Sequence, residues 1–402
     1  MRNTSTKPVL RFPEFKEDWK ECKLSDFLTR YSETNKDEEF SLDEILSLSS
    51  HYGIVSRKEL LEDTYSNVNH LSYKKTRLND LVYGKSISAS YPYGLFKVND
   101  YKDGSLSTLY YTFKVKENVF PKFIDCYFSL LNRANNFLKK HVLVGDRYIT
   151  ADADYLLSGQ ICLPTQKEEQ KKIADSLIQI DNRIAQLKEK KENLELYKKG
   201  IMQKLFSQEL RFKDENGKEF PKWEKKKLGK VAEINPSSQK LPDSFIYIDL
   251  ESVVQGRLTK EERITKAEAP SRAQRLLRKN DILFQMVRPY QKNNYFFNRD
   301  ENDFVASTGY AQIRTNNNCE FLFHFLHEET FVRKVIEKCT GTGYPAINST
   351  DLSNIVINIP KEKEQSKIAN FLSAIDDRIN QAEIQIQQFL IWKKGLPQKM
   401  FC

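Results

Sequence analysis

Residues 285–294 read Gln-Met-Val-Arg-Pro-Tyr-Gln-Lys-Asn-Asn. Gln285, Arg288, Gln291, Asn293 and Asn294 carry planar amide or guanidinium groups, and Lys292 adds a point charge. Such planar groups can make paired hydrogen bonds to the edges of guanine or adenine, whereas lysine meets phosphate. Pro289 restrains Arg288 toward an extended backbone, which would present its side chain outward. A second set lies in the first half of the chain: Arg77, Lys85, Ser86, Tyr91 and Tyr93. An ordinary solvated loop has the same composition, so neither stretch identifies a ligand by itself.

Other chemistry is thinly represented. His324, His327, Glu328 and Glu329 form the one metal-like group, with the histidines three apart on an expected helix. No third ligand is evident, so no metal is expected. None of the six cysteines forms a C-x-x-C pair, which points to reduced thiols rather than a zinc or redox motif. There is no P-loop, no dinucleotide fingerprint and no nucleophile elbow. Asn235-Pro236 is followed by Ser237, so the Asn/Asp-Pro-Pro-Tyr pattern that grips a flipped adenine in amino-methyltransferases is missing. No acidic nuclease cluster stands out. The expectation is a protein that binds and does not catalyse, with no cofactor.

The net charge of +9, from 64 basic and 55 acidic residues, favours a polyanionic partner. Aromatic residues make up 12% of the chain, and core packing is their usual use. There is no run of about 18 apolar residues, and residues 1–7 are polar, so neither a membrane span nor a secretory signal is expected. The cytoplasm follows as the default.

The elements that must position these residues are marked by a repeat. Residues 169–206 align without a gap on 364–401, with 17 identities in 38 positions. Glu169-Gln170 answers Glu364-Gln365, and Ile180-Asp181 with Arg183-Ile184 answers Ile375-Asp376 with Arg378-Ile379. Lys198-Lys199-Gly200 answers Lys393-Lys394-Gly395. The chain is therefore two copies of one unit.

Within each copy apolar residues recur in steps of four and three. Ile173, Leu177, Ile180, Ile184, Leu187, Leu194, Ile201 and Leu205 mark the first. Lys191 and Lys198 occupy the missing turns. This heptad seam predicts two long helices, each roughly 60 Å for about 40 residues. The pseudo-two-fold order of the chain predicts that they pair antiparallel, burying both seams. Gly200, Gly395 and Pro397 predict a kink or break in the last turns.

Weaker echoes open each half. Leu10-Arg11-Phe12 with Trp19 answers Leu210-Arg211-Phe212 with Trp223. Leu78-Asn79-Asp80 answers Lys279-Asn280-Asp281, a polar turn leading into an apolar strand. Gly145-Asp146-Arg147-Tyr148 answers Gly341-Thr342-Gly343-Tyr344. Between these landmarks the halves diverge. Strand-like runs (108–113, 245–248) and helical ones (122–140, 321–338) give each a mixed α/β (α+β) character.

The pattern Glu-Gln-x-Lys-Ile-Ala then Ile-Asp-x-Arg-Ile, the Lys-Lys-Gly-x-x-Gln-Lys-x-Phe endings and the Arg-Phe…Trp lead-ins resemble the specificity subunit of type I restriction–modification systems. The resemblance covers the whole chain. It implies target-recognition domains at 1–163 and 210–359 and conserved helical spacers at 164–209 and 360–402. It further implies a non-catalytic partner of double-stranded DNA. Each domain would read half of a bipartite target, and the helix pair would fix the spacing and dock two methyltransferase subunits. Restriction subunits would join the larger complex. Gln170, Arg183, Gln365 and Arg378 are then candidates for docking, or equally for stabilising the helix pair. A coiled-coil scaffold without DNA contact and the recognition half of a fused restriction–methylation enzyme are the alternatives.

Overall fold

The computed structural model describes residues 7–61, 69–145, 149–237, 240–341 and 343–401. Residues 1–6, the 146–148 and 342 portions of the two glycine landmarks, and Cys402 lie outside them. The fold is mixed α/β. Chain contacts divide it into two units: residues 1–187 with 385–402, and residues 188–384. Both cuts fall inside the long helices, at Leu187 and Ile384, and not at their ends.

The helices are Lys167–Phe206 and Glu362–Met400, here called the first and second rods. The sequence predicts a break near Gly200, Gly395 and Pro397, yet both rods continue through those positions. Open space surrounds both glycines. The turns beyond them are pinned by burial of Leu205, Phe206, Met400 and Phe401, which outweighs the weak helix preference of glycine.

In the first unit, Leu28–Tyr31, Tyr110–Val115, Leu81–Gly84 and Leu95–Val98 form an antiparallel sheet in that spatial order. Lys20–Lys23 pairs with Gln160–Leu163, the strand that leads into the first rod. In the second unit the same order recurs as Glu233–Ile234, Tyr310–Arg314, Asp281–Gln285 and Tyr295–Phe297. Glu224–Lys227 pairs there with Val356–Ile359. The second unit adds another four-stranded sheet in which Ser244–Ile248 runs parallel to Phe304–Ser307. The expected helical stretches are present, each as two short helices: Pro121–Ser129 and Leu131–Leu138, and Cys319–Phe325 and Glu329–Ile336.

The sequence landmarks prove to touch one another. In the first unit Arg11 donates two hydrogen bonds to Glu169, at 2.7 and 2.8 Å, and Trp19 Nε1 donates a third at 3.1 Å. In the second unit Arg211 and Trp223 hold Glu364 the same way, at 3.0, 2.8 and 3.1 Å. Both carboxylates are buried, so each needs these charge-assisted partners. The polar turns also match. Asn79 and Asn280 both adopt φ of 72°, and Asp80 and Asp281 each accept a backbone N–H, from Arg77 and Arg278, at 2.7 Å.

Rod pairing is visible within each unit. In the second, Lys191 meets Glu383 at 2.7 Å and Lys198 meets Asp376 at 2.6 Å. Seven residues forward on one rod correspond to seven back on the other, so the rods run antiparallel, one heptad per step. In the first unit Lys393 meets Asp181 at 2.7 Å. This is the repeat-equivalent of the Lys198–Asp376 pair. The lysines that interrupt the apolar seam are thus paired across it.

Candidate nucleic-acid interface

The strand Asp281–Gln285 is buried along its whole length and delivers the polar run to the surface of the second unit. Its members divide by direction. Gln285 and Asn294 are buried and brace the loop. Asn294 Oδ1 accepts from the Gln285 N–H at 2.8 Å. Gln285 Nε2 donates to Gln291 Oε1 at 2.9 Å, and Gln285 Oε1 accepts from the Asn293 N–H at 3.1 Å. Asn293 Oδ1 accepts from the Gln255 N–H at 3.0 Å. Lys292 is bound to Glu329 at 2.8 Å and to the His327 carbonyl at 3.1 Å. Gln291 and Tyr290 are exposed.

Arg288 departs from the expectation of an extended backbone. It sits at φ 53°, ψ 54°, the left-handed region, directly before Pro289. Clash with the proline ring disfavours helical conformations there, and an arginine gains nothing locally from left-handed backbone. Strain of this kind costs on the order of 1–3 kcal/mol and persists where surrounding structure imposes it. Here the Arg288 N–H donates to the Pro345 carbonyl at 2.7 Å, and Val287 bridges to Ala346. The guanidinium lies 4.1 Å from the centre of the exposed Tyr344 ring, and its buried Nε has no hydrogen-bond partner. Tyr344 belongs to the second glycine landmark. The sequence showed that landmark but not its contact with Arg288.

In the first unit the equivalent strand, Leu81–Gly84, leads to Lys85 and the exposed Ser86. Lys85 Nζ stands 3.8 Å from the centre of the Tyr111 ring. Lys74 Nζ at 4.6 Å and Arg30 Cζ at 5.9 Å approach the same ring. Burial and the charges of Lys85 and Arg30 push Lys74 down to about 8. Tyr91 and Tyr93 are half-buried in the turn that follows. Tyr91 and Ser88 exchange backbone hydrogen bonds, and the Tyr93 carbonyl accepts from the Tyr83 hydroxyl at 2.7 Å. Arg77 does not join this group. Glu39 accepts from it at 2.7 Å and Asp103 at 3.4 Å. Sequence reading missed Arg30, Lys74 and Tyr111. Only the Tyr110-Tyr111 pair within a strand-like run hinted at them.

The histidines serve the interior. His327 Nδ1 lies 2.8 Å from the Phe323 carbonyl, and burial lowers its pKa to about 4. His324 lies 3.3 Å from Ser373, and burial holds its pKa well below the usual value.

Two of the four docking candidates need correction. Gln170 and Gln365 are buried. Gln170 donates to the Pro164 carbonyl at 2.9 Å and accepts from the Phe120 N–H at 2.8 Å. Gln365 donates to the Pro360 carbonyl at 2.9 Å and accepts from the Asn318 N–H at 3.2 Å. Each amide fastens its rod to its own globular part, so neither faces a partner. Arg183 and Arg378 are exposed, as docking requires. The rods also expose apolar pairs at repeat-equivalent positions: Leu196 and Tyr197 at 62% and 52%, Ile391 and Trp392 at 70% and 59%.

The family model for the type I restriction modification DNA specificity domain matches twice, at residues 16–196 and 221–388. The HindI specificity subunit of Haemophilus influenzae is 29% identical over 152 residues, covering 37% of this chain and 33% of that protein. The chain thus spans about a third of that relative's length. The MjaVIII specificity subunit of Methanocaldococcus jannaschii is 26% identical over 393 residues, covering 92% and 88%. The S subunit of a type I restriction-modification system from M. genitalium shares the fold, with a TM-score of 0.59 and 15% identity over 98% of this chain and 99% of that one. Both sequence relatives are named as specificity subunits of type I restriction enzymes. No described helix is long and apolar enough to cross a membrane.

Proposed function

The chain belongs to the type I restriction modification DNA specificity domain family, and on that premise we propose that it is the DNA-reading, non-catalytic subunit of a type I restriction–modification complex acting in the cytoplasm. Residues 1–163 and 210–359 are the target-recognition domains, and 164–209 and 360–402 are the helical spacers. Each domain reads one half of a bipartite duplex target, and the rods fix the distance between halves. The observation that carries this reading is the shared sheet. One strand order recurs in both units, and the end of the equivalent strand carries Lys85 and Ser86 in one and Arg288 to Gln291 in the other. A constant frame with different polar groups at one topological place suits two different half-sites.

In the second domain Arg288 and Gln291 meet base edges, while Gln285, Asn293 and Asn294 hold them in place. Lys292 is available to phosphate only on leaving Glu329. In the first domain Lys85, Ser86, Tyr91 and Tyr93 lie at the interface, and Arg77 supports the fold behind it. Two methyltransferase subunits dock on the rods through Arg183 and Arg378 together with the exposed pairs Leu196-Tyr197 and Ile391-Trp392. Restriction subunits complete the assembly. Co-purification tests the docking. Wild-type chain should retain methyltransferase, and Tyr197→Ala with Trp392→Ala should release it without loss of folding. Retention by the double variant would move docking elsewhere. Salt-dependent retention of the isolated chain on duplex DNA separates this function from that of a scaffold.

A further inference from the structure

The geometry points to a backbone-phosphate seat in the first unit, formed by Arg30, Lys74 and Lys85 around the Tyr111 ring. Three cations converge on one side chain, with Nζ or Cζ 3.8, 4.6 and 5.9 Å from the ring centre. They come from three places in the chain: Arg30 from Leu28–Tyr31, Lys74 from Lys74–Thr76, and Lys85 from the end of Leu81–Gly84. The sheet fixes Tyr111 beneath them, and its hydroxyl donates to the Ala151 carbonyl at 2.8 Å. Lys74 is further fixed by donating to the Tyr110 carbonyl at 2.8 Å.

Clustered like charges repel, and other basic groups of this unit are relieved by acids. Arg77 has Glu39 and Asp103, and Lys75 has Asp37 and Glu39. Among the described residues no carboxylate lies within ion-pair distance of Lys74 or Lys85. Asp154 reaches only Arg30, at 4.0 Å, and both of those are exposed. Among the described residues the charged groups beside Lys74 are thus Lys85 and Arg30, which approach the same Tyr111 ring. Burial is the larger cause of the lowered Lys74 pKa, and the charges of Lys85 and Arg30 add to it. A phosphodiester group supplies the missing negative charge with acceptors for all three donors. Lys85 immediately precedes the exposed Ser86, so the seat adjoins the expected reading loop. The inference rests on the proposed DNA reading. It assigns Arg30, Lys74 and Lys85 to affinity and register, not to base choice.

The test is binding of the full chain to a short labelled duplex of arbitrary sequence, between 50 and 200 mM chloride, at pH 7 and pH 9. Each phosphate contact contributes about −0.9 to the slope of log K against log salt, or about a 3.5-fold loss across that range. Lys74→Met should make the slope shallower by about 0.9, and Lys74→Arg should keep it. Raising the pH should flatten the wild-type slope toward that of Lys74→Met, because Lys74 loses its proton, while Lys74→Arg holds. Lys85→Met should flatten the slope likewise and serves if Lys74→Met fails to fold by thermal melting. An unchanged slope in both methionine variants, while wild type binds DNA normally, would overturn the seat alone. Absence of salt-dependent binding by wild type would overturn the DNA reading as well. Exchange of chloride for inorganic phosphate at constant ionic strength should leave duplex affinity unchanged. Competition that vanishes in Lys74→Met would assign the site to a free anion instead.

Discussion

Removing Arg211 should destabilise the second unit far more than a surface arginine would. Glu364 is fully buried and accepts two hydrogen bonds from Arg211 and one from Trp223. Arg211→Ala leaves that carboxylate without its counter-charge. Loss of one partner of a buried pair costs about 3–5 kcal/mol. Arg211 is itself 21% exposed, so water can enter the vacated space and the lower end applies, about 3 kcal/mol. With Glu364→Leu added, the charge is no longer stranded and only the Trp223 N–H loses an acceptor, a cost of about 1–3 kcal/mol. The double variant should therefore be no less stable than Arg211→Ala alone. Urea unfolding followed by tryptophan fluorescence measures both, and Trp223 lies at the perturbed site. Arg11→Ala should behave alike, because Arg11, Trp19 and Glu169 repeat the arrangement. A cost under 1 kcal/mol for Arg211→Ala, or a double variant clearly worse than the single, would refute the buried-lock reasoning.

Ile184→Asp and Ile379→Asp, at equivalent buried seam positions, should each cost several kcal/mol in urea melts, whereas Arg183→Asp on the outer face should cost under about 0.5. Asp80 is buried and burial raises its pKa from 3.8 to about 6. The folded state then holds a proton that the unfolded state releases near pH 4, so the Asp80 contribution to stability is fully present below pH 4 and is lost as pH rises through about 6. Asp80→Asn should raise stability at pH 7 by up to roughly 3 kcal/mol and leave it unchanged near pH 3.5; equal effects at both pH values would be contrary. Arg288→Ala should relax base preference at one position of one half-site by about 1–3 kcal/mol in a panel of single-base variants, with Tyr344→Ala giving a weaker form of the same change.

The frame was legible in the sequence because both copies obey the same burial constraints. The Glu169-Gln170 and Glu364-Gln365 pairs repeat because each must be satisfied by the same lead-in Arg, Trp and backbone groups. Repetition could not say which way those residues face, so the buried glutamines read equally as candidates for docking and for stabilising the helix pair. The Asn79 and Asn280 turns were legible as turns from residue type, because asparagine tolerates left-handed backbone. Arg288 was not. The rule for a residue before proline is local, and it yields here to tertiary contacts from Pro345 and Ala346. The cation group at Tyr111 was hidden for a related reason. Strand pairing sets the strands that carry Arg30 and lead to Lys85 on either side of Tyr110–Val115, and Lys74 reaches the Tyr110 carbonyl from a strand outside that sheet, which no local pattern reveals.

Modularity is the central claim, and exchange of one domain tests it most directly. Residues 20–160 are replaced by those of another member of the family, with both rods kept, and the chain is expressed with its methyltransferase. Sequencing of methylated adenines should then show one half of the bipartite target changed, with the other half and the spacing between them retained. A change in both halves together, or a methylation pattern indifferent to the exchange, would contradict the account.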